Sequence, residues 1–174
     1  MNGFIFGIIG PKDFNLNRFN AITKPSLRSI GDGFTIESDT YFFHSISPHN
    51  TSMMASDHGW ILLLNTTDPL TLRWPSADLT RSLDPAKTIL DAVLRKGIKT
   101  LDRLEGHYSL VLYQERTKKL ILQSDPLASV CLYVAQNGSN IAFSTLMSPL
   151  LKTGYFPKDL NETTIAEYLT LHSE

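Results

Sequence analysis

The sequence predicts an α+β domain with two layers of mainly antiparallel sheet and helices outside them. Three observations lead to this prediction: several short apolar runs, a second half rich in turn signals, and one well-capped helix between the two regions. At 174 residues, with 42% hydrophobic and 19% charged residues, the chain has the composition of one globular domain that buries a single core.

Four strand candidates lie in the first half. The opening stretch MNGFIFGIIG is too continuously apolar for a half-exposed strand, so we expect its strand to be buried on both faces. Residues 12–40 are polar and broken by proline and glycine, with only short strand-like runs, and residues 65–82 are predicted to form a loop. The strand candidates are residues 3–10, 34–36, 41–46 and 60–64.

The clearest helix begins after Asp84. Asp84 can accept hydrogen bonds from the first free backbone N–H groups, Pro85 suits the first helical position, and Gly97 lies just beyond the end. Ile89, Val93 and Leu94 give it an apolar stripe. A second short helical piece is predicted at residues 100–104.

The second half predicts a meander of four strands followed by a short helix. Asn137-Gly138 favours a hairpin turn because both residue types tolerate positive φ angles. Residues 158–174 contain a polar capping region and then Ile165 and Leu169 one helical turn apart, which predicts the start of a further helix. The predicted strands are residues 107–114, 120–125, 130–135 and 140–145, with the short helix at 146–152.

Composition excludes several functional classes. The net charge is −1 and the basic residues are scattered, so no nucleic-acid partner is expected. No apolar run is long enough to cross a bilayer and the N-terminus lacks the features of a signal peptide, so a cytoplasmic protein without a membrane partner is expected.

Residue spacing alone reveals no catalytic or metal-binding constellation. The five histidines form no ligand pair with metal-binding spacing, so no metal site is predicted and structural or surface roles are expected for them. Cys131 stands within the apolar run VCLYVA, which predicts a buried core thiol rather than a nucleophile. Asp84 is explained as a helix cap and Asp125 as a turn residue at a strand end.

Four stretches resemble the N-terminal amidotransferase domain of the asparagine synthetase family. They are MNGFIFGI, the block LDRLEGHYSLVLYQERTKKLILQSDPLASVCLYV, the strand and helix NIAFSTLMSPLL, and LNETTIAEYLTLHSE, which resembles the family's linker helix. The resemblance implies a four-layer α/β/β/α sandwich of the N-terminal-nucleophile hydrolase type. It places an amidotransferase-like domain at residues 1–157 and a linker at 158–174, leading to a C-terminal synthetase domain that is absent from this chain.

The resemblance also implies that the reacting group is missing. The family opens Met-Cys-Gly, and the thiol of its second residue attacks glutamine while the free α-amine of the same residue acts as the base. Asn2 occupies this position here. A carboxamide supplies no comparable nucleophile, so no catalytic residue is assigned and loss of covalent glutamine hydrolysis is expected.

Other family positions are altered as well. The Asn-Gly-Glu motif that forms the oxyanion hole matches Asn65-Thr66-Thr67, which keeps the asparagine and replaces the glycine by a branched residue expected to crowd the substrate. The run that carries the family's carboxylate-binding arginine matches residues 44–47, which contain no arginine. Asp84 is the nearest match to the aspartate that binds the glutamine amine. The vestigial pocket is therefore predicted to comprise Asn2, Gly3, Asn65, Thr66 and Asp84.

A further block is only partly kept. The family's Arg-Asp-x-x-Gly-x-x-Pro-Leu-Tyr reads Ser124-Asp125 at its start, Ala128 in place of the glycine, and Leu132-Tyr133 at its end. The resemblance thus keeps residues that are expected to shape the fold and lacks those that are expected to take part in the reaction.

Three functional hypotheses follow from the resemblance. The first is a glutaminase-dead domain that supports an ATP-dependent amide-forming domain, in cis or in trans, as the resemblance implies for β-lactam synthetases and lasso-peptide cyclases. ATP and Mg²⁺ are then expected only in that other domain, because this chain lacks a Ser-Gly-Gly-x-Asp-Ser motif; no cofactor is expected here. The alternatives are an active glutaminase supplying ammonia for asparagine synthesis, and a stand-alone ligand-binding or interaction module. A homodimer is also possible.

Overall fold

Nine strands and three α-helices make up the part of the chain that the structure describes. This computed structural model describes residues 3–11, 13–23, 33–46, 51–74, 82 and 84–158. Two short 3-10 helices, Pro69–Thr71 and Ile98–Arg103, flank the second α-helix in the sequence. The elements are β1 (Phe4–Ile9), α1 (Leu16–Thr23), β2 (Gly33–Ser38), β3 (Tyr41–Ile46), β4 (Ser52–Asp57), β5 (Trp60–Thr66), α2 (Pro85–Lys96), β6 (Tyr108–Gln114), β7 (Lys119–Ser124), β8 (Tyr133–Asn137), β9 (Asn140–Ser144) and α3 (Met147–Lys152).

The strands form two antiparallel sheets. Sheet I has the order β2-β3-β1-β9-β8, and sheet II has the order β4-β5-β6-β7. β1 lies at the centre of sheet I, between β3 and β9. β5 and β6 form the centre of sheet II. The first strand of the chain and the strand that carries the candidate oxyanion residue are therefore interior strands of facing sheets.

Alternation along the central strands creates three apolar layers. In β1, Phe4 and Phe6 point outward to the layer that contains Phe19 of α1 and Leu150 of α3, whereas Ile5 points inward. In β5, Leu62 and Leu64 point outward to α2. The inner layer holds Ile5, Phe43 and Phe143 of sheet I against Leu63 and Val111 of sheet II. This confirms the predicted α/β/β/α sandwich and explains the continuous apolar runs, because both faces of these strands are buried.

Helix α2 begins and ends where the sequence predicts. The Asp84 carboxylate accepts a hydrogen bond from the Lys87 N–H at 3.0 Å, and Pro85 is the first helical residue. Gly97, with φ of 87°, follows the last turn and donates its N–H to the Val93 carbonyl oxygen. The helix packs on β4 and β5 with Ile89 and its neighbours buried.

The first half contains two elements that the sequence interpretation missed. Helix α1 lies within the region described as polar and broken, and its signal is local: the Asn15 side chain accepts the Arg18 N–H at 3.0 Å, as an N-cap does. Phe14 and Phe19, which flank this cap, both pack on Phe6. Strand β4 was missed because SMMASD contains none of the β-branched or aromatic residues that are typical of strands.

The predicted four-strand meander is wrong as a single sheet. β6 and β7 form a hairpin in sheet II, whereas β8 and β9 form a hairpin in sheet I. The chain crosses between the sheets at residues 125–132, so the third predicted strand begins later, at Tyr133. Cys131 lies in this crossover and is exposed, which corrects its prediction as a buried thiol.

Asp125 organises the start of the crossover. Its buried carboxylate accepts the N–H groups of Tyr108, Leu127 and Ser129 at 3.0–3.2 Å and the Ser129 hydroxyl at 3.0 Å. Burial is the largest single influence and opposes ionisation, but these hydrogen bonds together outweigh it and hold the pKa of the carboxyl below its usual value. The prediction of a turn residue at a strand end is confirmed.

We expect Asp125→Asn to destabilise the domain at neutral pH. The difference in unfolding free energy between this variant and the wild type should become smaller as the pH falls. The carboxyl pKa is lower in the folded than in the unfolded chain, where it is about 3.9, so its stabilisation is complete above about pH 5 and is lost as the pH falls through the folded value. The side-chain amide of the variant would also point its own N–H groups at backbone N–H groups, which cannot accept a hydrogen bond. The expected loss at pH 7 is about 1–3 kcal/mol in urea unfolding.

The exposed Asp102→Asn variant is the matched control, and its unfolding free energy should equal that of the wild type at pH 7 and at every lower pH measured. If Asp125→Asn unfolded like the wild type at pH 7, the carboxylate would not stabilise the crossover.

Candidate functional site

A cluster of polar side chains lies between the sheets where β1 begins and β5 ends. The register places Ser52 of β4 opposite Asn65 of β5. Thr51 lies just before β4, and Thr145 lies just after β9. Together with Gly3, which precedes β1, these residues replace the apolar inner layer at this end of the sandwich. The region corresponds to the place where the family resemblance puts the reacting group.

Asn65 connects the two sheets through its side-chain amide. The side chain is 1% exposed, and its Nδ2 donates to the Gly3 carbonyl oxygen at 2.8 Å and to Thr145 Oγ1 at 3.2 Å. A primary amide has two N–H hydrogens, so both are used by these two bonds. The Oδ1 atom is buried and has no hydrogen-bond partner among the described residues.

Gly3 is held from its other side by Thr51. The Gly3 N–H donates to Thr51 Oγ1 at 2.7 Å, and this contact is buried. A Cβ atom at residue 3 would lie 2.5 Å from the Cβ of Ser52, so the close approach of the strands requires glycine here. Ser52 Oγ in turn donates to the Phe4 carbonyl oxygen at 3.1 Å. The beginning of β1 is therefore fixed by hydrogen bonds from β4 and β5 together.

Thr66 is directed away from this cluster. Its hydroxyl donates to the His107 carbonyl oxygen at 2.7 Å and accepts the Asp68 N–H at 3.2 Å. Strand alternation places the side chain on the outer face of sheet II, opposite to Asn65. The steric crowding expected from the branched side chain is thus not directed at the Asn65 amide; instead, Thr66 anchors the loop after β5.

The remaining predicted pocket residues are not brought together with Asn65 in the described part of the chain. The Asp84 carboxylate serves as the cap of α2, in the outer helical layer, and its amine-binding role stays a prediction. Asn2 and Ser47 lie outside the described residues. The structure thus unites two of the five predicted residues, Gly3 and Asn65, and adds Thr51, Ser52 and Thr145, which no local sequence pattern indicates.

His44 has a structural environment. Its Nδ1 lies 2.8 Å from Thr35 Oγ1, and its ring centroid lies 4.6 Å from that of Phe19 in the outer layer. Burial lowers the pKa of His44 to about 4, so the imidazole is neutral at physiological pH. It therefore packs as a neutral ring under α1, as the structural interpretation predicts.

A separate groove of about 520 Å³ lies at the opposite end of sheet II, between the β4–β5 turn and α2. It is lined by Asp57, His58, Asp91, Leu94 and Arg95. Within the described ranges, no group of three or more histidine, cysteine, aspartate or glutamate side chains could hold a metal ion. No described helix is both long and apolar enough to cross a membrane.

Residues 77–174, more than half of the chain, match the family described as glutamine amidotransferase domain. The chain belongs to this family. No curated protein matches it by sequence.

Two solved structures share the fold. Glutamine phosphoribosylpyrophosphate amidotransferase from B. subtilis, complexed with ADP and GMP, superposes with a TM-score of 0.60 at 12% identity, over 88% of this chain and 44% of that chain. An allosteric regulatory enzyme of purine biosynthesis gives 0.56 at 13% identity, with the same coverage. The chain thus spans less than half the length of either. Family and fold together identify a class II glutamine amidotransferase-like domain with an N-terminal-nucleophile hydrolase-like fold.

The crossover of this glutamine amidotransferase-like domain keeps a backbone shape suited to glycine. Ala128, which stands where the resembling motif has glycine, adopts φ of 48°, in the left-handed region. Its N–H donates to the Asp125 carbonyl oxygen at 2.9 Å, which closes the turn after the buried carboxylate. A Cβ in this conformation costs about 1–2 kcal/mol.

We expect Ala128→Gly to stabilise the domain by about 0.5–1 kcal/mol. Removing the Cβ relieves the left-handed strain, and the greater freedom of glycine in the unfolded chain offsets part of the gain. Urea unfolding of both proteins measures the difference. The same change in the middle of α2, Ala92→Gly, is the control and should lower the unfolding free energy by about 1 kcal/mol. A destabilised Ala128→Gly variant would show that the crossover does not strain the alanine.

Proposed function

We propose that this glutamine amidotransferase-family domain does not hydrolyse glutamine and that it supports an asparagine synthetase-related, ATP-dependent amide-forming domain. The observation that carries the proposal is the Asn65 amide, whose two N–H groups bind Gly3 and Thr145. The replacement of a thiol by Asn2 points in the same direction.

Glutamine hydrolysis through a covalent intermediate needs a nucleophile and donors for the developing oxyanion. The carboxamide of Asn2 has no acidic proton to lose at neutral pH and no sulfur to attack the substrate. An oxyanion that recruited Asn65 would have to displace the Gly3 carbonyl oxygen or Thr145 Oγ1. Either displacement leaves a buried polar group without its partner, which costs about 1–3 kcal/mol.

The supporting role follows from the preserved scaffold. Hydrogen bonds fix the beginning of β1, and helices cover the outer face of each sheet, so the domain can serve as a rigid neighbour for a catalytic domain. In this proposal, ATP and Mg²⁺ bind to the synthetase-like partner in cis or in trans. The amine that attacks the activated carboxylate then comes from the substrate and not from glutamine.

One observation favours a second candidate, a ligand-binding module without chemistry. Asn65 Oδ1 is a buried acceptor with no partner among the described residues. A buried acceptor of this kind favours a ligand with an N–H donor, such as an amine or a primary amide.

The direct test is glutamine hydrolysis, measured as glutamate release, in a Cys131→Ser background that removes the exposed thiol. We expect no turnover, because Asn2 supplies no nucleophile at the position where the family has its thiol. Adding Asn2→Cys should not restore a family-like rate, since the Asn65 donors stay bound to Gly3 and Thr145.

Turnover by the Cys131→Ser protein would contradict the proposal. Efficient turnover after Asn2→Cys would show that the Asn65 donors are available to the substrate. Calorimetric titration with glutamine and asparagine separates the second candidate: saturable binding without glutamate release favours the ligand-binding module.

A further inference from the structure

The groove between the β4–β5 turn and α2 has the size and the composition of a small-molecule site. We call it the α2 groove. Its volume of about 520 Å³ lies within the range of roughly 300–1,000 Å³ that is typical of ligand sites. The β4–β5 turn forms one wall, with Asp57 and His58, and the second half of α2 forms the other, with Asp91, Leu94 and Arg95. Acidic, basic and apolar side chains therefore line one space.

The α2 wall carries two opposite charges that do not neutralise each other. Asp91 and Arg95 are four residues apart, a spacing at which an acid and a base on a helix commonly form an ion pair. Here the Arg95 Nε instead donates to the backbone carbonyl oxygen of Asp91 at 3.1 Å. Within the described residues, neither the Asp91 carboxylate nor the Arg95 guanidinium has an ion-pair partner. Both charges are therefore available to a ligand.

The turn wall holds a histidine in an uncommon backbone conformation. His58 and Gly59 connect β4 to β5 in a two-residue turn, and their φ angles are 49° and 73°. Such a turn favours Asn-Gly, and a residue with a Cβ adopts the left-handed conformation at a cost of about 1–2 kcal/mol. Residues held in this way cluster at functional sites. The His58 Nδ1 lies 2.8 Å from the Asp57 carboxylate, so Nε2 is the ring nitrogen that a ligand can meet.

The charge pattern favours one class of ligand over simple ions. A bound metal ion is not favoured, because no group of three or more potential ligands comes together within the described ranges. A free anion such as phosphate would be attracted by Arg95 but repelled by the carboxylates of Asp57 and Asp91. A molecule that carries both an ammonium group and a carboxylate finds a partner for each charge, and Leu94 offers contact to an apolar substituent.

The α2 groove is separate from the Asn65 cluster. The register of β4 with β5 pairs Ser52 with Asn65 at one end and Asp57 with Trp60 at the other. Five residue steps along a strand span about 17 Å, at about 3.4 Å per residue. The inference therefore does not depend on whether the domain hydrolyses glutamine.

We propose that the α2 groove binds a small zwitterion of the chemical class of an α-amino acid with an apolar side chain. The terminal nitrogens of Arg95 bind the carboxylate of this ligand, for which the guanidinium offers two parallel hydrogen bonds. The Asp91 carboxylate accepts hydrogen bonds from the ammonium group, and Leu94 contacts the apolar side chain. The site lies outside the pocket that the family resemblance predicts.

Titration of the full chain with three matched compounds tests the need for both charges. L-Leucine carries both, N-acetyl-L-leucine lacks the cation, and isopentylamine lacks the carboxylate. Backbone amide NMR shifts report the binding and its place. We expect saturable shifts at residues 57–59 and 91–95 with L-leucine, and binding that is weaker by about ten-fold or more for each of the other two compounds. Equal or tighter binding of either one would overturn the proposal, because a single charge would then be enough.

Two variants remove the charges of the α2 wall one at a time. Arg95→Gln removes the cation and Asp91→Asn removes the carboxylate, and each should weaken L-leucine binding by about ten-fold or more. Lys96→Gln is the matched control, since it removes a neighbouring exposed charge that does not line the groove, and its dissociation constant should equal that of the wild type. Circular dichroism checks that the three variants fold. Unchanged affinity in folded Arg95→Gln and Asp91→Asn proteins would contradict the proposed contacts.

The position of the shifts distinguishes this site from the ligand-binding module at the Asn65 cluster. Shifts confined to residues around Gly3, Thr51 and Asn65 would overturn the groove proposal and would favour that module. An absence of saturable shifts with L-leucine would also overturn the groove proposal. Neither result would change the outcome of the glutamate-release assay, so the two proposals fail independently.

Discussion

The hydrogen bonds of the Asn65 amide are the interaction on which the architecture of this end of the sandwich depends. They join the end of β5 in sheet II to the beginning of β1 in sheet I, at the polar end of an inner layer that is apolar further along the strands. Gly3 permits this contact because it lacks a Cβ, and Thr51 completes it by accepting the Gly3 N–H. Buried polar groups of this kind stabilise a structure only when they are satisfied, and removing one member leaves several partners unpaired.

The same bonds are the basis of the proposal that the domain does not hydrolyse glutamine. In an acyl-transfer site, preorganised donors must be free to meet a negative charge that develops on the substrate. Here the donors of Asn65 are used to hold the strand from whose end the nucleophile would come. The crossover shows a comparable feature. Ala128 adopts a left-handed backbone conformation that suits glycine, at the position where the resembling motif has glycine. Both features agree with the proposal that this domain does not hydrolyse glutamine.

Sequence reasoning recovered those parts of the fold whose signals are local. The strands buried on both faces appear as unbroken apolar runs, and α2 is marked at both ends by Asp84 and Gly97. Helix α1 was obscured because it is only eight residues long, although Asn15 is a valid cap. The meander was misassigned because hairpins look alike in sequence, whether or not they share a sheet. The exposure of Cys131 follows from the same crossover, which only the three-dimensional pairing of β8 with β9 reveals.

The site was predictable only in part, for a comparable reason. The resemblance identified Gly3 and Asn65, but Thr51 and Thr145 join them through contacts that span 48 and 80 residues of sequence. The most direct measurement is the unfolding free energy of Asn65→Ala in urea, with the exposed Asn17→Ala as control. A structural bridge predicts a loss of about 2–4 kcal/mol for Asn65→Ala and no loss for Asn17→Ala, because the Gly3 carbonyl would be left buried without a donor. An Asn65→Ala variant as stable as the wild type would contradict the account, since the amide would then be free for chemistry rather than committed to structure.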